Sequence, residues 1–310
     1  MSLIGHAGTI AIPPPRPAPP WVWVTSWPGM PPFDSRVKVT TPTASRWAQR
    51  GGIDVLTWEL FERMQVDAMI TTRHGGVSVG PYGSLNLALH VGDKTASVLE
   101  NRSRSATAMG ASLEDMIFAE QVHGNRVAVV ARSDRGRGSL ARAGAVPGCD
   151  ALVTAESGPV LAVLVADCAP VVLADPDARV VACAHAGWRG ALGGVLEATI
   201  GAMESVGAER RRMVAGIGPA VAAVRYEVGD DVADAARLHL GAVDSCLWPG
   251  RPGHFFFDLA EAVRMILLRS GLEEEHVASA GVDTGPSGPF FSARADGRCG
   301  RFALLARIRP

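Results

Sequence analysis

The sequence predicts an α/β fold in which mixed β-sheets form a sandwich flanked by helices within a single domain. Three observations carry this reading. Short apolar, β-branched runs and stretches with helical periodicity alternate irregularly, unlike a regular parallel βαβ array. No internal repeat and no second proline-rich linker divide the chain. The pattern is densest over residues 160–205. There, the apolar run 160–166 reads as a buried strand, and 171–174 and 179–184 flank the turn Asp175-Pro176-Asp177 as a strand pair. A helix is expected over 191–205, with Leu192, Val195, Leu196, Ile200 and Met203 on one stripe.

The front of the chain differs from the rest. Residues 13–20 read Pro-Pro-Pro-Arg-Pro-Ala-Pro-Pro, more prolines follow at 28, 31, 32 and 42, and Trp21, Trp23 and Trp27 lie among them. This composition favours extended polyproline conformation, so residues 1–52 are read as a proline-rich N-terminal tail, poorly ordered or packed on the domain. Residues 53–310 are read as the catalytic domain. Within it, residues 68–72 read as a strand leading into a glycine turn, and Thr95 is positioned to cap a helix over 96–109. Strands at 116–118 and 126–130 flank Gln121-Val122-His123-Gly124. Residues 132–147 form a polar, glycine-rich loop before a strand at 149–154. Further strands are expected at 212–220, 277–282 and 302–308, and helices at 230–240 and 259–270.

Composition narrows the function classes. With 47 % apolar and 20 % charged residues and a formal net charge of −1, the chain looks globular and gives no reason to expect nucleic acid or an anionic membrane as partner. Five cysteines with no CxxC spacing argue for a reducing compartment rather than a disulfide scaffold. No apolar run approaches the roughly 20 residues of a membrane span, and no secretory signal is visible. A cytoplasmic protein is expected, with a monomer favoured.

The candidate chemistry sits where strands end. A catalytic zinc needs three soft or borderline ligands and one open position. Cys168 and His185 stand at two strand ends, and His123 lies in a loop between two strands, 45 residues before Cys168. Cys183 lies two residues before His185 and so shares its face, but its apolar run suggests an inert thiol. A metal-free alternative makes Cys168 a nucleophile, His185 its base and Asp167 or Asp150 the orienting carboxylate, leaving His123 idle. Gly187-Trp188-Arg189-Gly190 precedes the expected helix, whose first amides and Arg189 can hold an anion.

Several motifs, in order, resemble the YfiH/YlmD family, labelled a multicopper polyphenol oxidase or laccase domain and including FAMIN-like purine nucleoside enzymes. They are Thr72-Arg73-His74-Gly75-Gly76-Val77-Ser78, Ser84-Leu85-Asn86-Leu87, His90-Val91-Gly92-Asp93, Gln121-Val122-His123-Gly124, Ala166-Asp167-Cys168 and His185-Ala186-Gly187-Trp188-Arg189-Gly190. The resemblance implies a zinc site of His123, Cys168 and His185, with copper as the alternative metal. It also implies purine nucleosides and phosphate as partners: phosphorolysis of adenosine, inosine, guanosine and methylthioadenosine, and deamination of adenosine. Arg73, Asn86, His90 and Arg189 are the expected substrate or phosphate contacts. The chain departs from the family at Asp283-Thr284, where a Cys-Thr pair is usual, and at Ser292-Ala293-Arg294-Ala295-Asp296, which lacks one aromatic ring and one arginine. Phe290 and Phe291 are candidates for stacking on the base or for core. His90, Glu227 and Asp167 are candidate proton carriers for deamination, in which zinc would lower the pKa of its water to about 7.

Overall fold

A computed structural model describes residues 45–62 and 64–310, so the proline-rich stretch of the expected tail lies outside the described residues. Two six-stranded mixed sheets lie back to back. The first runs β1 (Ser45–Arg50), β2 (Ile53–Trp58), β3 (Val66–Thr71), β15 (Phe302–Ile308), β7 (Val160–Val165) and β4 (Met116–Phe118). The second runs β14 (Val277–Ser279), β10 (Val214–Ile217), β8 (Ala169–Asp175), β9 (Val180–Ala186), β6 (Ala151–Thr154) and β5 (Val127–Val129). A small third sheet joins β11 (Glu227–Gly229), β13 (His254–Phe257) and β12 (Leu247–Pro249).

Alternation along the strands decides which core each side chain enters. Successive side chains of a strand point to opposite faces. Val172 and Ala174 of β8 therefore join Leu161, Val163, Cys183 and Leu304 between the two sheets, while Val171 and Leu173 face outward. The outward side of the second sheet is covered by α4 (Val195–Ser205), α5 (Asp230–Leu240) and α6 (Leu259–Arg269). The first sheet is covered by α2 (Thr95–Ala108), which brings Ala106 to Val55, Met69 and Leu305. Three short helices complete the set: α1 (Glu59–Glu62), α3 (Trp188–Leu192) and α7 (Ala293–Asp296).

Three differences from the sequence reading have physical causes. The first sheet starts at Ser45, before the expected boundary at residue 52, because β1 pairs in antiparallel register with β2 and Trp47 stacks on Phe290, centroids 5.8 Å apart. Thr95 is the first helical residue rather than the cap, a place taken by Lys94 without a side-chain bond. The helix expected over 191–205 is two helices. Gly194 adopts φ 90°, a left-handed conformation that glycine tolerates and that ends α3 and caps α4.

The topology also fixes where a site can form. β4 and β7 are parallel neighbours in the first sheet, and each hands the chain to the second sheet: β4 through residues 119–126 into β5, β7 through residues 166–168 into β8. Two crossings thus leave the same end of the sandwich. His123 lies in one and Cys168 in the other.

Candidate metal centre

The two crossings bring their side chains to the end of β9. The donor atoms of His123, Cys168 and His185 lie within 4.8 Å of one another, the one such cluster among the described residues. The imidazole rings of His123 and His185 meet edge to face at 4.7 Å. His185 is buried, Cys168 half-buried and His123 exposed, so the cluster has a sealed side and an open one.

Backbone register supports each ligand. Ala151 of β6 pairs with Ala184 of β9, which sets Asp150 beside His185. The Asp150 carboxylate lies 2.8 Å from His185 Nδ1, leaving the ring's Nε2 as its other donor atom. The same carboxylate accepts from the backbone N–H groups of Val122, His123 and Gly124, so one buried anion holds both histidine-bearing segments. His123 has φ 60° and Asp167 φ 96°, left-handed conformations that a non-glycine residue keeps only when its surroundings over-determine them. For Asp167 the cause is visible. Its carboxylate accepts from Thr284 Oγ1, Ser292 Oγ and the Arg294 N–H, each at 2.6 Å. Gly187 is required by space: a Cβ there would lie 2.9 Å from Cys168 Sγ and 3.2 Å from His123 Cδ2.

Electrostatics suit a metal-binding thiolate. Burial alone would raise the Cys168 thiol, but the charge of His185 and hydrogen bonds from His123 and His185 prevail and bring it down to about 6. Burial would lower His185, yet the Cys168 thiolate and Asp150 hold it up at about 9. A second cysteine in the same strand pair responds oppositely. Cys183, on the His185 face as expected, is sealed between the sheets, and burial pushes its thiol far above the usual range. One thiolate and two imidazoles, one of them oriented by a carboxylate, form a donor set that fits zinc. The residues present fit the expected ion.

The cluster opens on a cavity of about 590 Å³, within the range of small-molecule sites. His90 and Arg189 line it, as do Trp188 and Tyr226. Arg73 and Asn86 do not. Arg73 donates to Gly83 O, pairs with Asp296 and lies 4.7 Å over the Phe291 ring. Asn86 is fully buried, its amide bonded to Asp93 and to the backbone of Ala88 and Arg301. Both shape loops rather than the cavity wall. Phe290 and Phe291 are fully buried in the inter-sheet core and neither lines the cavity. Of the three candidate proton carriers, His90 and Asp167 line the cavity, the Asp167 carboxylate already accepting from three donors, while Glu227 is bonded to Arg251 outside it. Asp283 accepts from the Ala222 N–H and pairs with Arg225, whereas Ala293 borders the cavity. The anion seat expected at a helix start before Ala191 is not built that way, since α3 begins at Trp188 and the Ala191 N–H donates to Gly187 O.

Residues missed from the sequence include Arg102, Arg142, Arg301 and Tyr226, all in the lining. For Arg102 a signal existed: it falls on the buried stripe of α2 with Val98, Asn101, Ser105 and Ala106. A charge on the inward stripe of a helix requires a partner or a role.

Comparison with known proteins gives a consistent answer. Residues 67–309 match the family model described as multi-copper polyphenol oxidoreductase laccase. The chain is 41 % identical over 249 residues to purine nucleoside phosphorylase YlmD of Geobacillus stearothermophilus, covering 78 % of this chain and 89 % of that one. It is 42 % identical over 234 residues to purine nucleoside phosphorylase ORF3 of Streptomyces griseus, covering 75 % and 90 %. The crystal structure of the Geobacillus YlmD superposes with a TM-score of 0.80 over 85 % of this chain and 99 % of that chain, at 37 % identity. That of Bacillus licheniformis YfiH, called a hypothetical protein, superposes with a TM-score of 0.81 over the same shares at 31 % identity. Among the described residues no helix is long and apolar enough to cross a membrane. On sequence and fold together, the chain belongs to the YlmD/YfiH family of laccase-like domains.

Proposed function

We propose that this chain is a zinc-dependent purine nucleoside phosphorylase that also deaminates adenosine. The observation that carries the reading is the convergence of His123, Cys168 and His185 at the mouth of a nucleoside-sized cavity, in a chain 41 % identical to a relative named purine nucleoside phosphorylase. When bound by these three side chains, zinc would supply a Lewis acid and a water of lowered pKa. The chain's own residues do the rest. Asp150 keeps the His185 proton on Nδ1 and so keeps Nε2 free for the ion. Trp188 and Tyr226 offer aromatic walls for the purine and ribose. In phosphorolysis a phosphate oxygen bonds to C1′ as the C1′–N9 bond breaks. The base leaves with the electron pair and takes up one proton. Inosine, guanosine and methylthioadenosine are the further substrates proposed, in a cytoplasmic setting.

Two other readings are separable. A laccase needs several coppers, whereas one three-residue cluster of metal-binding side chains occurs among the described residues. A cysteine hydrolase has an observation in its favour, because Cys168, His185 and Asp150 form a thiol–imidazole–carboxylate line. It leaves His123, hydrogen-bonded to the same sulfur, without a task. The deciding experiment incubates the protein with adenosine, with and without phosphate, and follows adenine and inosine. Phosphate-dependent adenine release that stops on chelation is expected. Absence of any phosphate-dependent product would remove the reading, and turnover that survives chelation but not alkylation of Cys168 would favour the hydrolase.

A further inference from the structure

The charges around the cavity fall into two groups on different parts of the fold. Five arginines line it against two carboxylates, Glu120 and Asp167, although the whole chain carries a formal charge of −1. Arg189 in α3 and Arg294 in α7 belong to the metal side: α3 starts after Gly187, which abuts Cys168 and His123, and the Arg294 N–H donates to Asp167 next to Cys168. Arg102 in α2, Arg301 just before β15 and His90 just before α2 lie instead on the side of the first sheet, joined there by Arg142 from the 132–147 loop, which links β5 to β6 but hydrogen-bonds along β4.

Within the second group, Arg102 is the anchor. It is 3 % exposed, and its guanidinium lies 3.8 Å over the Phe118 ring. Its Nε donates to Leu87 O, and its Nη1 to Gly138 O and Ser139 O, at 2.6–2.8 Å. Among the described residues it pairs with no carboxylate. A buried cation fixed by three carbonyls but lacking a counter-anion is costly to keep for stability alone. Arg301 is likewise bonded to carbonyls, those of Cys299 and Gly300, and Arg142 reaches Glu120 only at 3.8 Å. We infer that Arg102, Arg142, Arg301 and His90 form the seat of the phosphate co-substrate, gathered where α2 and the start of β15 meet the 132–147 loop.

This inference rests on the phosphorylase reading and moves the anion away from Arg73 and Arg189, where the sequence suggested it. Arginines suit the charged phosphate oxygens, to which they donate in a fixed fork. His90 is held neutral, first by burial and then by Arg301, Arg142 and Arg102, so its ring can accept the one O–H of monohydrogen phosphate. The seat binds a tetrahedral phosphate oxyanion, and such an anion could arrive free or as the 5′-phosphate of a nucleotide. The free ion is the occupant assigned, because a nucleoside brings no phosphate of its own.

The test titrates inorganic phosphate, and separately adenosine 5′-monophosphate, into the full-length protein by calorimetry. The variants are Arg142→Gln and Arg301→Gln, with the exposed Arg211→Gln as control. Arg102→Gln is left aside because it would strip three buried carbonyls of their donor. Saturable phosphate binding weakened about tenfold in each cavity variant and retained in Arg211→Gln is expected, with the KM for phosphate rising in step. No saturable phosphate binding, or binding indifferent to both cavity variants, would overturn the assignment. So would arginine-dependent binding of the nucleotide with none of free phosphate. The two readings fail separately. Phosphorolysis with unchanged phosphate affinity in the variants sinks the seat alone, and arginine-dependent phosphate binding without phosphorolysis sinks the phosphorylase alone.

Discussion

The smallest decisive unit is the Asp150 carboxylate, which accepts from His185 and from three successive backbone N–H groups around His123. It touches two of the three ligand-bearing segments without being a ligand. Asp150→Asn keeps the volume but turns two of the acceptor positions into a donor group, so His123 and His185 lose their common anchor. Zinc affinity should fall about 10–100-fold, the usual effect of removing such a partner, as measured by competition with a chromogenic chelator. An unchanged affinity would mean that the two loops hold their shape without it. In the sequence two members of the trio stand at strand ends and the third in a loop between strands, and the resemblance to the family is what named them as one set. The role of Asp150 was visible only as one of two orienting candidates, since strand register, which sets it beside His185, cannot be read from one strand alone.

Elements follow the same logic. The buried runs at 160–165, 169–175 and 180–186 announce themselves through continuous apolar content, and their turn through Asp175-Pro176-Asp177. What was illegible lies at edges and breaks. β1 is half exposed and alternates weakly, and its partner follows Gly51-Gly52, so its residues read as tail. The single helix expected over 191–205 runs across Gly193-Gly194, whereas Gly194 uses its left-handed conformation to make two. The β8–β9 turn is held by fully buried Asp175, which accepts from the N–H groups of Asp177, Ala178 and Glu209 and from Arg212. Asp175→Asn should cost about 2–4 kcal/mol at neutral pH, by urea unfolding. Burial would raise this carboxyl, but Arg212 and the backbone donors hold it below the usual carboxylate range. A depressed folded-state pKa stabilises above the unfolded value, about 3.9, and that stability is lost as pH falls through the folded one. The gap between wild type and variant should therefore close below about pH 4. A constant gap down to pH 2 would contradict this assignment.

At the scale of the molecule, the sandwich carries its stability in three apolar clusters, and of the three ligands Cys168 packs against the inter-sheet one. Two ligands come from chain crossings between the sheets and the third from the end of β9, all held by the protein's own hydrogen bonds. Removing the ion should then abolish turnover while leaving the far-ultraviolet circular dichroism unchanged. Fold class was legible from alternating periodicities, whereas the positive cavity was not. A chain with a net charge of −1 hides a local excess of arginines that only the packing of α2 and β15 against the 132–147 loop assembles. The motif residues Arg73 and Asn86 teach the complementary lesson: side chains that mark the family in sequence serve here to hold loops in place. The most direct measurement is zinc content together with inosine phosphorolysis in wild type, Cys168→Ser and His185→Ala. One zinc per wild-type chain is expected, with metal and hypoxanthine release lost together in both variants and the fold retained. Full phosphorolysis by a variant that holds no metal would contradict the account.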